Sequence, residues 1–174
     1  MYYPNDETNN NSVFPMFMPV TGVIRSITDF SNGGCVKLFN VVKKDGTVTD
    51  FIVDWSTYFT ENVPLREGMV ATFYYNTNVP AVLIYPPQFK AVVVEPLNSD
   101  YSEKIKVDYF NSDFVSSDNT LQINMDPETK IYLQNGQYFN GSIADRNLVV
   151  FYDSATKSIP AVTTPKKIIV LCNN

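Results

Sequence analysis

Apolar and polar residues alternate along this chain in short stretches with a period of two, the mark of half-buried strands. Ile105, Val107 and Tyr109 fall on one face of the stretch 104–110, and Lys104, Lys106 and Asp108 on the other. Leu121, Ile123 and Met125 alternate with Gln122, Asn124 and Asp126 in the same way. Met69, Ala71, Phe73 and Tyr75 share one face of a further stretch, and Val70, Thr72 and Tyr74 the other. No window carries an apolar stripe at helical spacing. The pattern predicts strands over 21–27, 35–42, 49–54, 69–75 and 90–94, then over 104–110, 121–125, 147–152 and 167–171. Asp45-Gly46 predicts a hairpin turn between the second and third of these. Short helical turns are expected over 62–68, opened by Pro64 and closed by Gly68, and at Ser142–Asp145, which has capping-box spacing.

The order of elements occurs twice. Leu65-Arg66-Glu67-Gly68-Met69 through Phe73-Tyr74, Pro80 and Pro86-Pro87-Gln88-Phe89 has a weaker copy in Ile143 to Tyr152, Pro160 and Pro165. Phe73 aligns with Phe151 and Pro87 with Pro165 at one offset, while Phe51 aligns with Ile123 and Thr57 with Thr129 at a smaller one. The difference falls in an insertion at 134–141, rich in the residues of surface turns. Extending the alignment backward sets Cys35 on Ile105 and Ile24 on Val94, which makes 90–97 both the last strand of one copy and the first of the next. Five strands with a helical turn between the third and fourth is the order of a small OB-like barrel. The expected architecture is therefore all-β, with two tandem OB-like five-stranded barrels sharing the strand at 90–97. An N-terminal arm occupies 1–18, with Phe14, Phe17 and Met18 packed on the first barrel; the barrels occupy 19–97 and 98–174. Each barrel would be marginal alone, and pairing them extends one core.

Composition narrows the chemistry. Of 174 residues, 44% are hydrophobic and 18% charged, the balance of a globular chain, and 12 Phe and 11 Tyr suit pleated, half-buried surfaces. A net charge of −5 without a basic run argues against nucleic acid, which binds by counterion release to Lys and Arg. The absence of histidine removes Ser-His-Asp and Cys-His catalysis and histidine-ligated zinc. No Gly-rich phosphate loop is present, and no cofactor is implied. Cys35 and Cys172 fall in different copies and are expected to be free, buried, small apolar residues. No apolar run approaches the ~20 residues of a membrane helix. Residues 1–11 show neither a basic region nor an apolar core, so the chain reads as cytoplasmic or spore-associated, or as exported were a leader removed.

The pattern Leu65-x-x-Gly68-Met69, Phe73-Tyr74, Pro80, Pro86-Pro87-Gln88-Phe89-x-Ala91, with Phe51-x-Val53 and Thr57 upstream, resembles an uncharacterised β-domain common in clostridial and related firmicute proteins. The resemblance covers residues 20–97. The second copy departs from it, with Arg146-Asn147 in place of Gly-Met and Pro165 alone in place of Pro-Pro-Gln. It implies a fold and no activity, and members of the family are often exported.

Candidate residues are few. Trp55, Tyr58, Tyr74, Tyr75, Tyr85 and Phe89 are the aromatics able to form a ligand platform, against the reading that they are core. Asp108, Asp113, Asp118 and Asn119 gather oxygen ligands without the spacing of a calcium loop, so turn chemistry is expected and no metal. Asp126 and Glu128 flank a turn and read as a solvated pair. The expected function is a non-enzymatic interaction or structural module that binds a protein or a cell- or spore-surface polymer, with a homodimer left open. The alternatives are an OB-type nucleic-acid-binding protein and, last, a carboxylate-dependent hydrolase.

Overall fold

Residues 15–82, 84–97 and 103–172 are described by a computed structural model, and they are all-β. The strands are β1 (Phe17–Ser31), β2 (Val36–Val42), β3 (Val48–Val53), β4 (Tyr58–Phe59), β5 (Val70–Asn76), β6 (Gln88–Lys90) and β7 (Val93–Pro96). There follow β8 (Lys104–Phe110), β9 (Leu121–Ile123), β10 (Lys130–Leu133), β11 (Arg146–Tyr152), β12 (Ala161–Thr163) and β13 (Lys167–Leu171). Strands β1 to β7 form a seven-stranded sheet in the order β4-β7-β5-β1-β2-β3-β6. The rest form a four-stranded sheet, β10-β13-β11-β8, and a two-stranded one, β12-β9. Neither expected helical turn is a helix: Gly68 (φ 88°) and Asp145 (φ 55°) each close a tight turn instead. Most of the expected arm, including Phe14, lies outside the described residues, and β1 begins at Phe17, which is buried.

Four pairings of the first half recur in the second. Strand β1 runs antiparallel to β5 as β8 does to β11, and β5 antiparallel to β7 as β11 does to β13. Strand β4 is parallel to β7 as β10 is to β13, and β3 parallel to β6 as β9 is to β12. Thr57 and Thr129 also play the same part. Each is buried and donates its hydroxyl to a backbone oxygen just before the last strand of its half, Ala91 O at 2.8 Å and Pro165 O at 2.7 Å. Only β2 lacks a full counterpart, since its place is taken by single bridges from Ser116 to Phe110 and from Val115 to Gln122.

Two expectations of register are corrected. Strand β7 pairs with β4 and β5 alone, so the segment 90–97 is not shared between two barrels, and the second set of strands opens with β8. A fixed offset could not be carried backward through the shrunken counterpart of β2. The alignment of Phe73 with Phe151 is one residue out. Phe151 lies opposite Lys167 and Ile105 as Tyr74 lies opposite Val93 and Pro19, while the counterpart of Phe73 is Val150. A slip of one residue turns a side chain to the other face of a strand. Phe73 therefore fills the interior of the first half, and Phe151 the seam between halves.

Three apolar clusters result. Ile24, Phe39, Val41, Phe51, Phe73 and Val94 fill the first half, and Phe110, Ile123, Leu148, Val150, Ile168 and Val170 the second. The seam joins Phe17, Tyr74 and Val93 to Val107, Phe151 and Ile169. Strands β11 and β13 meet apolar neighbours on both faces, which is why they read as continuous runs rather than alternations. Asp108 fastens the seam from the polar face of β8. Fully buried, it accepts hydrogen bonds from Met16 N at 3.0 Å, Tyr109 N at 2.8 Å and Ser117 Oγ at 2.6 Å. Gly22 sits where β1 passes from β5 to β2; a Cβ there would lie 2.5 Å from Val42 O, so no larger residue fits without a shift. Cys35 and Cys172 are free but exposed, which corrects the expectation of burial: both lie just outside strands, where no register points them inward. No helix of the described residues is long and apolar enough to cross a membrane.

Candidate functional site

The six candidate aromatics separate into three groups. Tyr74 is core: it is buried at the seam and donates its hydroxyl to Glu95 Oε2 at 3.1 Å. Burial, then the neighbouring Glu95 charge, pushes its phenol far above the usual range. Tyr58 is half-buried against the same seam, where burial raises its phenol. Tyr75 and Phe89 stack with centroids 4.0 Å apart and planes 17° from parallel, half-buried at the margin of the first core. Trp55 and Tyr85 are surface residues, 76% and 83% exposed.

The Tyr75–Phe89 stack lines a groove of about 360 Å³, walled by Ile52, Val79, Pro80, Val82 and Val92. Its outer wall belongs to the loop between β5 and β6, which carries no charged residue from Asn76 to Phe89. Val79, Val82, Ile84 and Tyr85 all stand more than half exposed on that loop. Lys90 lines the groove too, and its ammonium lies 3.0 Å from Asp54 Oδ2 and 2.6 Å from Ser56 Oγ. Partial burial acts to raise the Asp54 carboxyl, but hydrogen bonds from Ser56 and Lys90 outweigh it and hold the group below its ordinary range. Ser56 O in turn accepts a hydrogen bond from Gln134 Nε2 at 3.2 Å. Gln134 opens the inserted segment 134–141, which folds back on β10 so that Tyr138 stacks on Tyr132 at 5.2 Å, with Tyr138 67% exposed. Apolar loop, groove, Trp55 turn and Tyr138 hairpin thus follow one another through Lys90, Ser56 and Gln134. Sequence reasoning found Trp55, Tyr75, Tyr85 and Phe89 but missed Tyr132, Gln134 and Tyr138. The available signal was a tyrosine inside the inserted loop, where no core requires one.

A second concavity, of about 240 Å³, opens at the seam between Glu61, Glu95, Leu97, Glu103, Ile105 and Lys167. Burial raises the Glu95 carboxyl; the Tyr74 hydrogen bond opposes this, and the charges of Glu61 and Glu103 add to it. A carboxyl whose folded pKa is raised binds its proton more tightly in the folded state. Its stabilising contribution is full below the unfolded value, near 4.5, and is lost as pH rises through the folded one. Glu95→Gln keeps an oxygen for Tyr74 and removes the charge. It is expected to raise the Tm at pH 7.5 and leave it unchanged at pH 4, as read by thermal unfolding at both values.

The oxygen-rich group of the second half is occupied by its own donors. Asp118 pairs with Lys106 and accepts from Ser116 and Thr120, and Asp113 N is held by Asn111 Oδ1 at 2.9 Å. Asp126 accepts from Glu128 N at 2.7 Å, so that pair is one turn. Among the described residues no group of three acidic or cysteine side chains is placed to hold a metal.

Fold and surface define an all-β protein with several exposed apolar and aromatic side chains. Comparison with known protein families and with curated proteins finds no match. Among solved structures, OBody AM1L10 bound to hen egg-white lysozyme aligns over 50% of this chain and 83% of that one, at 13% identity and a TM-score of 0.33. A score that low supports no argument about fold or function.

Proposed function

We propose that the chain is a non-enzymatic binding module, built as two duplicated OB-like barrels, that holds a protein or a cell- or spore-surface polymer on its exposed strip. The observation that carries this is the exposure of Trp55 and Tyr85 together with that of four further large apolar or aromatic side chains, Val79, Val82, Ile84 and Tyr138. Large apolar side chains held in water in number mark a surface that a partner covers. The barrel reading draws support from the segment 88–96, which pairs with β3 at one end and β5 at the other and so joins the two ends of the sheet order. Membership of the clostridial β-domain family is proposed on the motif alone. Nucleic acid is disfavoured by the net charge of −5 and the absence of a basic run.

The glutamate-lined cleft supports a second reading, a carboxylate-dependent hydrolase with Glu95 as proton donor. The binding reading is preferred because this cleft is small and the strip extensive. Retention tests it: the protein is immobilised and challenged with envelope and soluble fractions of the source cell, beside the double variant Trp55→Ala/Tyr85→Ala. Both side chains are surface residues, so the variant is expected to fold normally and to lose at least tenfold in retention of the bound component. Equal retention by both proteins would overturn the reading.

A further inference from the structure

We propose that the first half holds a ligand of its own, a free long-chain carboxylate of the fatty-acid class, between a row of outward valines, Val23, Val42 and Val70, and the ammonium groups of Lys43 and Lys44. This site shares no residue with the binding strip and goes beyond that reading. Register places the three valines side by side. Val23 is the Cα partner of Val42 in β2 and of Val70 in β5, and residues directly opposite one another in paired strands point to the same face. Their sequence neighbours Ile24, Val41 and Ala71 fill the first core, so the row itself faces outward. Val23 and Val70 are 43% and 38% exposed. With Thr21 and the turn after β2 the row lines a concavity of about 600 Å³, larger than either described above and within the range of small-molecule sites.

The polar groups of the concavity select the occupant. The Thr21 hydroxyl is bonded to that of Thr72 at 2.7 Å. Asp45 Oδ1 accepts from Thr47 N at 2.9 Å and from Thr47 Oγ1 at 2.6 Å, and these hydrogen bonds, ahead of the Lys43 charge, hold its carboxyl below the ordinary range. Among the described residues Lys37, Lys90, Lys106 and Lys166 each pair with a carboxylate, and Lys43 and Lys44 do not. The site therefore presents an apolar wall and two ammonium groups, both of which a ligand with one anionic end and an apolar body satisfies. A cationic amphiphile would bring like charges together, and an uncharged hydrocarbon would leave the ammonium groups to water. The lysines stand on a fixed turn, with Lys43 N donating to Thr47 O at 2.9 Å and Gly46 N to Lys43 O at 3.0 Å. A support ordered beforehand lowers the entropy lost on binding.

The test titrates the full chain with sodium dodecanoate, kept below its micellar concentration at pH 7.5, and follows amide and methyl NMR signals. Saturable shifts are expected at Val23, Val42, Val70, Lys43 and Lys44, with none of comparable size at Ile123 or Val170 in the second core. The double variant Lys43→Gln/Lys44→Gln is expected to weaken dodecanoate binding at least fivefold. Val23→Thr, which keeps the branched shape and makes the wall polar, is expected to weaken it at least threefold. Dodecyltrimethylammonium should give no saturable shift at these residues. Absence of saturable shifts along the valine row, equal binding of the cationic amphiphile, or an affinity unmoved by the double lysine variant would overturn the proposal. Shifts produced by phosphatidylglycerol vesicles and not by dodecanoate would overturn it too, by making this surface a membrane contact.

Discussion

Phe73→Ala is expected to cost about 3–5 kcal/mol of folding stability, the range for removing a large aromatic from a close-packed core. Phe73 is fully buried, stacks on Phe51 at 4.8 Å with planes 12° from parallel, and meets Phe39 at 5.9 Å. Each ring comes from a different strand, β2, β3 or β5, and β5 connects to β2 through β1, so no single neighbour can move in without parting the pairings. The void left behind adds to the lost burial, because close-packed side chains relax only in part. Urea unfolding reads the effect as a lower midpoint at nearly unchanged slope. A loss under about 1 kcal/mol would mean that these three rings do not form one core.

Asp108→Ala is the second large effect, expected at about 1–3 kcal/mol, since it removes the acceptor of Tyr109 N and Ser117 Oγ and leaves Met16 N with Ser117 Oγ alone, at 3.0 Å. Its carboxylate is fully buried and gathers Met16 N, Tyr109 N and Ser117 Oγ, and Lys106 Nζ lies 4.0 Å away. The bond to Met16 joins the start of β1 to the second half, so the loss should be local as well as global. Amide exchange at Met16 and Phe17 is expected to accelerate more than exchange in the first core around Phe51. Asp108→Asn, which keeps one acceptor oxygen, should cost less than the alanine variant. Equal exchange in wild type and Asp108→Ala would show that the latch does not hold the seam.

The longer strands were legible from alternation or from an unbroken apolar run. Lys104–Phe110 and Lys167–Leu171 appear at their expected bounds because period-two alternation or an uninterrupted apolar run leaves no competing assignment. Short strands were missed: Tyr58–Phe59, Lys130–Leu133 and Ala161–Thr163 are too brief to show a period, and each exists because a distant strand pairs with it. The one-residue error between Phe73 and Phe151 has a related cause. Strand β11 is apolar on both faces, so matching one phenylalanine to another could not tell inside from seam. Polar content hid Asp108, which alternation assigns to a solvent face; its burial depends on the Ser116–Asp118 turn and on Met16 closing over it.

The candidate site was legible by residue type and not by arrangement. Trp55 and Tyr85 stood out as aromatics, but so did Tyr74, and only tertiary pairing shows that Tyr74 faces β8 and β11 across the seam. Tyr138 was hidden in an inserted loop. Its link to Trp55 runs through one side-chain bond between residues far apart in sequence, which no local pattern reports.

Retention of a source-cell component by the wild-type chain, set against Trp55→Ala/Tyr85→Ala, tests the proposed binding strip most directly. A loss of at least tenfold with the unfolding midpoint unchanged is the expected result. Undiminished retention by a folded variant would contradict it.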